Sequence, residues 1–255
     1  MVEFIRPIDL EKSVEIRKNY RKSEVSPERQ AEARAEYGKK RNHMVVEAVK
    51  NHIHGISYRL VPFRVGASAL AINPNIEGGY QTEAGHNYTP SRQKRYGWGK
   101  FCGETNVCAG LIKDGSEYIA AIVIVSNHKE IGDDPHDKTH NEHALHSCQN
   151  CRNLYREMIK EGIMSNETII RFVNDDSLVY LDENDTEQWT NGTDEEPRKS
   201  MVPKLKLKKE EITEQDVENL PYEETTLGEF LNREEYRNDP PSPSGNVPPP
   251  YLKAI

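Results

Sequence analysis

Ile119-Ala120-Ala121-Ile122-Val123-Ile124-Val125 is the longest apolar run in the chain. It is strand length and far short of the ~18 residues of a membrane span. It is apolar at every position instead of alternating, which predicts a strand buried on both faces and hence a sheet covered on two sides. Before it, Gly103 to Lys113 fits a helix packed through Val107, Leu111 and Ile112. Further upstream, Pro62 breaks the pattern, Phe63 to Ile72 reads as a strand lined with small residues, and Gly78 to Gly85 suggests a turn and a second short strand. Downstream, Cys148 to Glu161 reads as a helix, and Glu167–Asn174 and Leu178–Asp182 as two strands. The connection Asn174-Asp175-Asp176-Ser177 is too short for a parallel crossover, so this last pair should be antiparallel. The expectation is an α/β fold with a mixed sheet of about five strands covered by helices.

The flanks differ in composition. Residues 1–41 are rich in Glu, Arg and Lys and form a charged helical extension, with Ser26 at an N-cap and Pro27 at the first helical position. Val45, Ala48 and Val49 mark one apolar helix face at the start of the main domain, residues 42–182. Residues 183–216 form a charged linker or insertion; Asp182–Glu196 holds seven acidic residues and Arg198–Lys209 six basic ones. A last helix is expected within 217–236. The tail, 237–255, has six prolines and no apolar period.

The 255 residues carry 34 Lys+Arg and 42 Asp+Glu, a net charge of −8, with mean hydropathy −0.84 and pI near 5.7. That balance disfavours a dedicated duplex-DNA binder, which needs a basic face. Met-Val-Glu-Phe-Ile-Arg at the start lacks the basic-then-apolar pattern of a signal peptide, so a cytoplasmic, non-membrane protein is expected. Four cysteines, at 102, 108, 148 and 151, are too few for a disulfide scaffold and point to metal or redox chemistry.

The neighbours of those cysteines divide them. Cys102-Gly103-Glu104 and Cys148-Gln149-Asn150-Cys151-Arg152 each stand at an expected helix N-terminus, where the helix dipole favours thiolates. Three thiolates suit Zn2+ and leave a fourth position open, as in catalytic zinc sites. Cys108 is ~9 Å along the helix from Cys102 and ~240° round it, so it reads as a small core residue and not a fourth ligand. Glu104 is placed to take a proton from an activated water and pass it to a leaving nitrogen.

C-x-E followed by C-x-x-C resembles the three-cysteine branch of the zinc-dependent cytidine deaminase superfamily, the cytidine and blasticidin-S deaminase type. Phe63-Arg64-Val65-Gly66-Ala67-Ser68-Ala69-Leu70 is similar to the family strand that precedes the site, and Thr225-Thr226-Leu227-Gly228-Glu229-Phe230-Leu231 to its final helix. The resemblance covers roughly 42–182 plus 217–231. It implies a three-layer α/β/α sandwich with the last two strands antiparallel, Cys102, Cys148 and Cys151 as zinc ligands, and Glu104 as the catalytic proton carrier. It further implies Arg152 as charge compensation for the thiolates. It also implies a homo-oligomer, dimer or tetramer. In this superfamily the antiparallel topology goes with free-nucleoside enzymes, whereas the nucleic-acid editing branches run those strands parallel.

Substrate residues are expected at Phe63, at the Gly103 amide, and at Asn87, whose Asn-Tyr-Thr is only a partial counterpart of the family's Asn-x-Glu. Arg92 and Arg95, in a basic aromatic loop before Cys102, could meet a phosphate. Ser147 stands where the family has Pro, and Thr105 where it has a second arginine. The substrate implied is a cytosine nucleoside or nucleotide. The alternatives are a modified or peptidyl pyrimidine nucleoside, an RNA or single-stranded DNA cytosine, or a non-catalytic zinc-stabilised binding module. Five of nine histidines fall within 127–147; His140, His143 and His146 recur every third residue and read as a solvated polar loop before a second metal site.

Overall fold

A computed structural model describes residues 25–56, 65–86, 102–126, 146–175, 178–181, 187–188, 205–208 and 211–237. Helix α1, Pro27–Ile56, opens where the sequence placed a helix start: Ser26 Oγ accepts the Arg29 amide at 3.3 Å and Ser26 O accepts the Gln30 amide at 2.9 Å. It then runs without interruption past residue 41, so residues 27–41 of the charged stretch and the first apolar helix are one element. Gly38 costs some helix propensity but leaves the backbone ladder intact. Ala33, Tyr37, Met44, Val45, Ala48, Val49 and His52 are buried along it.

The five-stranded sheet has the order β2-β1-β3-β4-β8. Its strands are β1 (Val65–Ile72), β2 (Tyr80–His86), β3 (Tyr118–Ser126), β4 (Ile169–Asn174) and β8 (Tyr222–Thr226). β1 is antiparallel to β2 and β3, β3 is parallel to β4, and β4 is antiparallel to β8, so the sheet is mixed. β3 contains the seven-residue apolar run and is buried at every position. Its alternation sorts the two faces: Ile122 and Ile124 join Val107, Leu111, Cys151, Leu154 and Phe230, while Ala121, Val123 and Val125 join Tyr37, Met44, Val45 and Val49 of α1. The first group brings in α2 (Gly103–Lys113), α3 (Gln149–Lys160) and α5 (Leu227–Leu231). The turn into β2 needs its glycines: Gly78 and Gly79 sit at φ 81° and 73°, a region that side chains avoid.

Two expectations are corrected. Leu178–Leu181 (β5) does not pair with β4; it belongs to a separate three-stranded sheet with β6 (Glu187–Gln188) and β7 (Leu205–Lys208), in the order β6-β5-β7. The antiparallel neighbour of β4 is β8, which lies inside the stretch expected to be helical. Pro221 precludes a helix running through it, Thr225 and Thr226 favour extended backbone, and Arg171 opposite Glu224 supplies a cross-strand ion pair at 2.8 Å. Short helices α4 (Glu214–Val217) and α6 (Glu234–Arg237) flank β8 and α5.

Candidate metal centre

Helices α2 and α3 bring their N-termini together at one end of the sheet. Gly103 lets α2 seat against β1: a Cβ there would lie 3.0 Å from Val65 O and 3.5 Å from the Ala67 methyl. Cys102 and Cys148 are the N-cap residues, with extended backbone (φ −70°, ψ 151° and φ −64°, ψ 162°), and neither sulfur caps its own helix. Cys151 follows one turn into α3 and is fully buried.

The three sulfurs converge. Cys102 Sγ lies 3.5 Å from Cys148 Sγ, Cys148 Sγ lies 3.7 Å from Cys151 Sγ, and all three fall within 4.8 Å of one another. Tetrahedral coordination with bonds of ~2.3 Å separates sulfurs by ~3.8 Å, so the spacing fits one metal ion. It is too long for a disulfide, whose sulfurs stand ~2.05 Å apart. Cys148 is exposed, Cys102 half-buried and Cys151 buried, which leaves the cluster open on one side. Hydrogen bonding to Cys148 pushes the Cys102 thiol well up, and hydrogen bonding to Cys102 does the same to Cys151. Three adjacent sulfurs cannot all ionise unless a cation stands among them. Cys108 is buried in the core on α2, outside the cluster, and burial raises its thiol too.

Glu104 is only 3% exposed. Burial first, then the Cys148 charge, push its carboxyl up to about 7, while hydrogen bonds with Ser147 and Cys151 pull the other way. A carboxyl held there exchanges a proton easily near neutral pH. Arg152 donates from Nη1 to Ser147 O at 2.5 Å, and its guanidinium carbon lies 4.0 Å over the Tyr236 ring, which fixes a positive charge beside the α3 cysteines. Thr105 Oγ1 lies 3.7 Å from Cys151 Sγ, and Ser147 Oγ lies 3.2 Å from the Tyr155 hydroxyl.

His146 is held by both ring nitrogens. Nδ1 is 2.6 Å from the Tyr236 hydroxyl and Nε2 is 3.0 Å from Glu223 Oε2. This corrects the expectation of a solvated loop at His146: the imidazole is buried and anchors the segment that leads to Cys148. Thr105 and Ser147 adjoin the cysteine segments in the chain, but their hydrogen bonds to Cys151 and Tyr155, and the place of Tyr236 under Arg152, come only from the fold. Phe63, Asn87, Arg92 and Arg95, the basic loop they belong to, and His140 and His143 lie outside the described residues. No helix among the described residues is long and apolar enough to cross a membrane. No protein-family model matches the chain, and no curated protein matches it at significant similarity.

Proposed function

We propose that the chain is a zinc-dependent hydrolytic deaminase of a free cytosine nucleoside or nucleotide, built as an α/β/α deaminase sandwich. The observation that carries this reading is the convergence of three cysteine sulfurs on two helix N-termini beside a buried glutamate. Structural zinc sites are normally closed by four protein ligands, whereas three with an open side suit catalysis. Cys102, Cys148 and Cys151 would hold the ion, which when bound supplies the Lewis acidity that makes a water nucleophilic at neutral pH.

The remaining steps belong to the chain's own residues. Glu104 accepts a proton from the water whose oxygen attacks C4 of the cytosine ring. It returns that proton to N3, then takes the second proton from the oxygen now on C4 and passes it to the amine; the C4–N bond breaks as C4=O forms, so that water and cytosine become uracil and ammonia. The amides of Gly103 and Cys148 lie at the positive ends of α2 and α3 and favour the oxygen's developing charge. Arg152 offsets the thiolates. The antiparallel β4–β8 edge supports a free-nucleoside substrate over a nucleic-acid strand, since the nucleic-acid editing branches of the superfamily that the motif resembles run their last strands parallel.

Elemental analysis of the purified protein should return one zinc per chain. Ammonia release should then be measured on cytidine, deoxycytidine, their mono- and triphosphates, a peptidyl cytosine nucleoside and short oligonucleotides. Glu104→Gln should lower turnover of the best substrate about 10²–10⁴-fold. Wild-type ammonia release by that variant, or a zinc-free protein, would overturn the mechanism.

A further inference from the structure

The face of the sheet opposite the cysteines carries a group of arginines that the proposed chemistry does not use. Arg171, on β4, is 4% exposed. Its Nη1 donates to Glu224 Oε2 at 2.8 Å, and its guanidinium carbon lies 3.4 Å over the ring of Tyr222, which is 45% exposed. The Tyr37 hydroxyl, from α1, donates to the same Glu224 oxygen at 2.7 Å. Arg34 and Arg41 lie one turn either side of Tyr37 on the same helix face. Burial, and next the Glu224 charge, raise the Tyr37 phenol, so it stays neutral; the charges of Arg171 and Arg41 act on it in the opposite sense.

Arg34 Nη1, Arg41 Nε and Arg171 Nε are buried and meet no acceptor among the described residues. A buried donor without a partner costs about 1–3 kcal/mol, and more when charged. Three guanidiniums against one carboxylate leave 3 − 1 = +2 in a chain whose net charge is −8. We propose that Arg34, Arg41 and Arg171 form a phosphate site at the β8 edge of the sheet. A phosphate offers several oxygens and up to two negative charges, which match both the unanswered N–H groups and the local excess. Glu224 holds Arg171 in place instead of competing for the ligand, because its Oε2 already accepts the hydrogen bonds donated by Arg171 and Tyr37. Free phosphate and a phosphate ester share this chemistry; for an ester, the exposed Tyr222 stands beside the organic part.

Isothermal titration of the full chain with inorganic phosphate, at ionic strength matched with chloride, tests this. One site is expected in the wild type. Arg34→Gln and Arg41→Gln should each weaken it about tenfold, and Arg41→Lys, which keeps charge but loses the forked donors, should lie between. Melting curves without phosphate should be near wild type for these half-buried positions, which separates loss of the site from loss of fold. Cys148→Ser should bind phosphate as the wild type does, since the cysteines are on the other face. A nucleoside monophosphate that binds tighter than inorganic phosphate identifies an ester as the ligand. No saturable binding in the wild type, wild-type affinity in Arg34→Gln and Arg41→Gln, or loss of binding in Cys148→Ser would overturn the proposal.

Discussion

Thr105 replaces the arginine that the resemblance leads one to expect after the glutamate, and its hydroxyl points to Cys151 Sγ at 3.7 Å. A hydroxyl donating to a thiolate lowers the charge on the sulfur without adding a cation, so Arg152 remains the nearby positive group engaged with the α3 loop. Residues that hydrogen-bond to metal ligands commonly tune affinity about 10–100-fold. Thr105→Val keeps the shape and removes the donor. Its zinc affinity, measured by competition with a chromogenic chelator, should fall about tenfold with little change in melting of the metal-free protein. Unchanged affinity would assign Thr105 to packing alone. The grouping of Cys102, Cys148 and Cys151 apart from Cys108 was legible in the sequence because it is written in two short segments at helix starts. The role of Thr105 was not, because it depends on which sulfur of a remote helix faces it.

At the scale of elements, the apolar runs were read well and the polar strand was not. Ile119–Val125 is apolar at every position, and β3, which contains it, is buried throughout; α2 was placed at Gly103–Lys113 by its apolar spacing, and the structure gives the same bounds. Tyr222-Glu223-Glu224-Thr225-Thr226 has no apolar alternation, since an edge strand with an ion-paired face needs little. The hairpin expected at Asn174–Ser177 failed for the complementary reason: Leu178–Leu181 is a strand, but it finds its partners in residues that follow it in the chain. Glycine 66 shows how tightly α1 sits on β1. A Cβ at that position would lie 2.0 Å from Ala48 O and 2.5 Å from the His52 amide nitrogen, both backbone atoms that cannot swing away. Nearby, His52 Nδ1 and Asp175 Oδ2, both fully buried, meet at 2.6 Å and tie α1 to the end of β4. Gly66→Ala must lift the helix off the sheet, and overpacking of this kind costs about 3 kcal/mol. Urea unfolding should show that loss in the midpoint; a midpoint within error of wild type would mean that α1 docks more loosely than these distances require.

Across the whole molecule, the last helices close back onto the segment that leads to Cys148 and Cys151. His146, two residues before Cys148, bridges Tyr236 and Glu223, while Arg233 pairs with Glu223 and Arg156 donates to Tyr236 O at 2.7 Å. Phe172 and Phe230 stack against the same imidazole at ring separations of 4.7 and 5.5 Å. Residues 77 and 90 positions apart in the chain thus set the approach to Cys148, a dependence that no local pattern could reveal. Glu223 gives it a measurable signature. The hydrogen bond from His146, opposed by partial burial and reinforced by Arg233, holds its carboxyl down at about 2, against an ordinary value of 4.5. A carboxylate with a lowered folded pKa stabilises the fold above its unfolded value, and the contribution is lost as pH falls. Between pH 4.5 and about 2 the unfolded chain binds this proton and the folded chain does not, so stability must drop with acidification across that window. Glu223→Gln lacks the linkage. Its unfolding midpoint should be lower than wild type near neutral pH, and the gap should close as the pH approaches 2. Parallel acid profiles for the two proteins would show that the C-terminal helices are held to the ligand loop by packing on Phe172 and Phe230, with the Glu223 charge contributing nothing.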